Sequence, residues 1–244
     1  MRTANPALNE KTFRNAAAYS DRAMTINGTV NKTGILLFLV VCGAAFTWNL
    51  FTRNSAAAMP WLIGGAIGGF VVALITCFKQ SWAPVTAPFY AVLEGLFLGA
   101  LSAMYEAKFH GIVLNAVILT FGTLFCLLAA YRTGIIRATQ NFKMGIFAAT
   151  GAIALLYLVG MVMSFFGQQI PYIHESGWIG IGFSLFVVVI AALNLVLDFD
   201  FIEQGAKHGA PQYMEWYGAF GLMVTLIWLY VEILRLLSKL SSRR

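Results

Sequence analysis

Residues 177–201 read GWIGIGFSLFVVVIAALNLVLDFDF. No ionisable side chain occurs in this stretch before Asp198, and the apolar residues cover every face of a helix. A helix needs about 20 apolar residues to cross a bilayer, and a soluble core helix is shorter and polar on one side. This run is therefore expected to be a membrane span. Outward from it lie six more: about Gly34 to Phe51, Trp61 to Phe78, Pro88 to Tyr105, Gly111 to Tyr131, Met144 to Phe166 and Trp216 to Leu240. The expected fold is an all-α membrane protein with seven transmembrane helices. A transmembrane β-barrel would show alternating segments of about 10 residues instead.

The rest of the composition agrees. Of the 244 residues 59% are hydrophobic and only 11% charged, and the mean hydropathy is +0.76. Soluble domains carry about 25% charged residues, so this chain could not cover a surface facing water. That excludes an ordinary cytosolic enzyme, a disordered regulator and a secreted disulfide scaffold. Residues 1–33 read as a polar N-terminal tail with a short helix on the membrane surface, and 34–244 as one seven-helix transmembrane domain. No apolar stretch precedes Gly34, so no cleavable signal is expected, which fits a plasma (inner) membrane.

The net charge is +6. Its basic residues sit in tails and loops, as orientation signals and contacts with anionic lipid require, so nucleic acid is not an expected partner. With the tail inside, Lys79, the Arg132–Lys143 cluster and Lys207 are also inside, while the outer loops hold only Arg53 and Lys108. The terminal Lys239, Arg243 and Arg244 break the pattern by falling outside. Cys42, Cys77 and Cys126 lie singly in three apolar runs and read as small packing residues. Gly64 and Gly68, Gly65 and Gly69, and Gly95 and Gly99 are spaced by four, as at close helix contacts. Trp61, Trp82, Trp178 and Trp216 mark span ends.

Acids inside a bilayer are costly and normally face the bundle interior with a partner. Asp198 and Asp200 point about 200° apart on a helix, so only one can face inward. Asn194 shares the face of Asp198, which favours Asp198. Glu203 lies near the helix end and is expected in water. On span seven, Trp228, Glu232 and Arg235 fall along one stripe. Either Glu232 pairs locally with Arg235, or it meets Asp198 across the last two helices. In the second arrangement the two carboxyl groups could not both ionise easily and would share a proton. Glu94, in span three, reads as a cation ligand, a proton relay or a packing residue.

Other chemistry is thin. His110 and His208 sit at span ends, and His174-Glu175 lacks the second histidine of HExxH. Walker, GxGxxG and GxSxG motifs are absent, as are the Tyr-Asp and Gly-x-Gly-Asp of intramembrane aspartyl proteases. Span seven has no lysine midway to carry a retinal. No enzyme and no bound cofactor are expected.

The segment LNLVLDFDFIEQGAKHGAPQYMEWYGAFGLMVTLIWLYVEILRLLSKL at 193–240 resembles the bacterial Bax inhibitor-1/YccA-like membrane proteins of the transmembrane Bax inhibitor motif superfamily. ANPALNEKTF at 4–13, YAVLEGLFLGALS at 90–102 and YRTGIIRAT at 131–139 resemble them too, in the same order. The resemblance implies six helices around a central seventh. It also implies a pH-sensitive calcium leak attributed to one acid on each of the last two helices, and in some bacterial relatives interaction with a membrane AAA protease.

Carried over by position, Asp198 in Leu197-Asp198-Phe199-Asp200-Phe201-Ile202 takes the first acidic place. Glu232 in Leu229-Tyr230-Val231-Glu232 takes the second. The chain departs from the pattern twice: the second acid is Glu rather than Asp, and Arg235 follows within a turn, where its charge would hold Glu232 ionised. Glu94 matches the acid region of helix three. The expectation is thus a calcium or cation leak channel. Asp198 and Glu232 would be its ion-binding gate and calcium ligands, Asn194 and Arg235 the gate partners, and Glu94 and Asp200 further pore acids. Lipid, calcium or protons are the expected partners. The rival expectation is a non-transporting regulator or partner of a membrane protease, with the N-terminal tail as its handle.

Overall fold

The computed structural model describes residues 23–166 and 177–243. Among them are seven helices long and apolar enough to cross a membrane. They are α1 (Ile26–Arg53), α2 (Ser55–Phe78), α3 (Ala83–Lys108), α4 (Ile112–Arg132), α5 (Gln140–Phe165), α6 (Trp178–Lys207) and α7 (Tyr213–Ser241). A short 3₁₀ turn, Gln80–Trp82, leads into α3. The fold is all-α, as read. The expected surface helix in the tail, the segment ANPALNEKTF and the loop with His174 and Glu175 lie outside the described residues.

Helix starts come from capping chemistry more than from the apolar runs. The Thr25 hydroxyl accepts from Gly28 N at 2.9 Å and opens α1 eight residues before Gly34. Residues 26–33, read as tail, are therefore helical. Asn54 ends α1 and begins α2, its side chain accepting from the Ala56 and Ala57 amides. This places Pro60 inside α2 rather than at its start. The helix forgoes one backbone bond there and continues, because the cap and the apolar run beyond it outweigh the loss.

The chain forms two compact units. Unit one comprises residues 1–110 and 198–224, and unit two residues 111–197 and 225–244, so α6 and α7 each contribute to both. In unit one, glycines bring backbones together. A Cβ on Gly95 would lie 2.5 Å from Val40 O of α1, and one on Gly65 would lie 2.6 Å from Leu93 O of α3. Gly95 and Gly65 are therefore at seams, as the spacing suggested. Gly64 is not, for a Cβ there would meet nothing within 4 Å. Nearer the start of α3, Tyr90 packs edge-on against Phe220 of α7 with ring centroids 5.0 Å apart.

Unit two packs α5 against α6 through Ile146, Ile153, Val187 and Ile190, with Tyr157 and Phe183 beside them. Burial is uneven among the helices. The most apolar window of α3 is 50% buried, of α6 44% and of α7 50%, against 17% for α2 and 11% for α5. Cys42, Cys77 and Cys126 are free and exposed. That corrects their reading as packing residues: each sits on the outer side of its helix, where apolar character suits lipid.

Candidate functional site

The most buried acid in unit two is Glu232, on α7 and 1% exposed. Tyr157, on α5, donates its hydroxyl to Glu232 Oε1 at 2.9 Å. Arg235 Nη1 donates to both Glu232 oxygens, at 3.1 and 3.3 Å, and to the Tyr157 hydroxyl at 2.8 Å. The guanidinium also lies over the Tyr157 ring, 5.2 Å from its centroid. The residues form a closed triangle in which each makes contact with the other two. It balances one negative and one positive charge and ties α5 to α7. Of the two readings for Glu232, the local pair with Arg235 is present.

Asn194, expected beside Asp198, is turned to α5. Its Nδ2 donates to Thr150 Oγ1 at 2.9 Å and to Ile190 O of its own helix at 2.9 Å. Farther along α7, Lys239 is 7% exposed and donates to Gly180 O at 3.0 Å and Ser184 Oγ at 2.9 Å.

Asp198 belongs to unit one and Glu232 to unit two. Asp198 is half-buried, and its Oδ1 lies 4.0 Å from where a Cβ on Gly221 of α7 would sit. Asp200 is also half-buried. Glu203, near the helix end, pairs with Lys207 one turn on, at 2.5 Å. Glu94, half-buried on α3, sits against α2, where a Cβ on Gly69 would lie 2.6 Å from Glu94 Oε1.

Two features escaped the sequence reading. One is Tyr157, whose mid-span hydroxyl needs a buried partner but belongs to no motif. The other is a clasp in unit one around Glu215, which is 3% exposed. Glu215 Oε1 accepts from Thr25 N at 2.8 Å and from Thr25 Oγ1 at 2.9 Å, and Oε2 pairs with Lys32. Beside it, Met24 N donates to Ala210 O at 2.6 Å. A Cβ on Gly28 would lie 2.2 Å from Glu215 Oε1, so a larger residue there would push the carboxylate out of the clasp. An acid in the first turn of a helix was the available signal.

Among the described residues no three His, Cys, Asp or Glu side chains gather as a metal site. Calcium takes 6–8 oxygen ligands at rest, so Asp198 and Glu232 do not belong to a ready-made acidic cage. No curated protein matches the chain. A family model described as Bax inhibitor 1 like matches residues 5–242. With seven helices long and apolar enough to cross a membrane, the chain is a multi-pass integral membrane protein and belongs to the Bax inhibitor 1 like family.

Proposed function

We propose that this protein is a pH-sensitive cation leak channel that passes calcium across the plasma membrane, with no catalytic step. The observation that carries the reading is Glu232: a carboxylate 1% exposed in a membrane span, held by a tyrosine from another helix and an arginine from its own. Ionisable groups kept inside a membrane bundle at such cost normally serve an ion or proton path.

The two acids have unequal jobs in this scheme. Arg235 already balances the charge of Glu232, so Glu232 is the fixed arm that braces α7 on α5. Asp198 is the arm that answers to pH. Ionised, it supplies the negative charge and oxygen ligands that draw a divalent cation into an apolar span. Protonated, it supplies neither. Leak is therefore low in acid and rises as Asp198 ionises.

The test is calcium influx into dye-loaded liposomes from acidic to neutral pH, comparing wild type with Asp198→Asn and Glu232→Gln. Asp198→Asn should give a low, pH-independent flux. Glu232→Gln should alter the amplitude and keep the pH dependence. Identical curves for all three proteins would sink the mechanism. A wild type at the level of empty liposomes would favour the regulator of a membrane protease instead.

A further inference from the structure

The turn between α4 and α5 presents an apolar side chain between two arginines. Ile135 is 79% exposed, and Arg132 and Arg137 on either side of it are exposed too. The backbone fixes this arrangement. Gly134 takes the left-handed conformation that favours glycine, with φ +76°. Its amide donates to Tyr131 O at 3.1 Å, and Ile136 N donates to Ala130 O at 3.2 Å. Thr139 N then donates to Arg137 O at 2.8 Å, and the Thr139 hydroxyl opens α5 by accepting from Phe142 N at 3.3 Å. The Arg137 guanidinium lies back along the turn, for a Cβ on Gly134 would sit 3.9 Å from its Nε and Nη2.

The charges here differ from those elsewhere in the chain. Lys32, Lys207 and Arg235 pair with Glu215, Glu203 and Glu232, while Lys79 and Arg243 lie over the Trp82 and Trp178 rings. No acid occurs from residue 107 to 174, so α4, the turn and α5 offer Arg132 and Arg137 no carboxylate. Two guanidiniums flanking an exposed isoleucine at a span end match the headgroup layer of a bilayer. Ile135 enters the apolar boundary, and each guanidinium donates paired N–H bonds to phosphate oxygens. A soluble phosphate would satisfy the arginines and leave Ile135 in water. With the orientation set by the basic residues, this turn is on the inner face, where anionic lipid collects.

We infer that the α4–α5 turn is a binding site for an anionic phospholipid. Arg132 and Arg137 select the headgroup, and Ile135 anchors the turn at the acyl boundary. The site is independent of the leak reading. Each basic residue at an anionic surface contributes about fivefold in binding, so the pair gives about 25-fold.

The experiment places the full chain in phosphatidylcholine nanodiscs containing photoactivatable phosphatidylglycerol or, in equal amount, photoactivatable phosphatidylcholine. Cross-linked positions are located by mass spectrometry. In wild type, residues 132–139 should capture phosphatidylglycerol about 25-fold more than phosphatidylcholine. Arg132→Gln with Arg137→Gln should bring that ratio close to one, and Arg132→Lys with Arg137→Lys should keep most of it. Ile135→Ser should lower capture of both lipids and leave the ratio unchanged. All the altered side chains are exposed, so the variants should share the melting temperature of wild type. A wild-type ratio near one, or a ratio that survives the two glutamines, overturns the site. Loss of the preference on adding inorganic phosphate at matched ionic strength would assign the arginines to a soluble anion and overturn it as well. Undiminished capture in Ile135→Ser overturns the anchoring role of Ile135.

Discussion

The Tyr157 hydroxyl decides how Glu232 is held, because it is both donor to the carboxylate and acceptor from Arg235. A hydrogen bond to a charged group contributes about 1.5–3 kcal/mol. Tyr157→Phe keeps the ring under the guanidinium and removes only that bridge. Arg235→Met leaves a buried carboxylate without its counter-charge, which costs about 3–5 kcal/mol when the pair is fully buried. The Arg235 side chain is 34% exposed, so its loss falls at the lower end. The double variant should cost less than the sum of the singles, since the hydroxyl and the guanidinium serve one carboxylate. Unfolding of all three variants in mixed micelles checks this, and strict additivity would mean the triangle does not act as a unit. Glu232 and Arg235 were legible by their spacing on one stripe. Tyr157 was not, because it is 75 residues away from Glu232 in sequence and hydropathy records only an apolar neighbourhood.

At the level of helices, the apolar runs located every span but misplaced several starts. Hydropathy reports where lipid or core begins, while a helix begins where its first amides find a cap. Thr25 and Asn54 supply such caps upstream of the apolar runs. The spacing of small residues likewise could not say which glycines meet a neighbour, since Gly64 and Gly65 both fit the pattern and face different ways. Their roles separate experimentally. Gly95→Ala puts a methyl 2.5 Å from the Val40 carbonyl, a backbone atom that cannot swing aside. Such overpacking typically costs about 1–3 kcal/mol. Gly64→Ala meets nothing within 4 Å and replaces a poor helix former, so it should be neutral or stabilising by up to about 1 kcal/mol. Thermal melts in one detergent give both numbers. Equal destabilisation by the two changes would refute the seam between α1 and α3.

For the whole molecule the solvent is lipid, and that inverts the usual surface. Phe38, Phe70, Phe89 and Phe125 are each more than 60% exposed, on four different helices. No water-facing protein would tolerate so many, and a bilayer rewards them. This much was legible from composition alone, because a chain with 11% charged residues has nothing else to present. The cysteines turn it into a depth measurement. Cys77 is next to the last residue of α2, whereas Cys42 is about 16 Å along the axis from the nearer end of α1. All three thiols are exposed, so protein packing shields none of them. A thiol reacts as its thiolate, which forms in water and not in hydrocarbon. A charged, membrane-impermeant maleimide added to both faces of sealed proteoliposomes should therefore label Cys77 and spare Cys42, with Cys126, six residues from the end of α4, in between. After unfolding in SDS all three should label fully. Equal labelling of Cys42 and Cys77 in the intact membrane would mean that the exposed face of α1 meets water, and the seven-span reading would have to be given up.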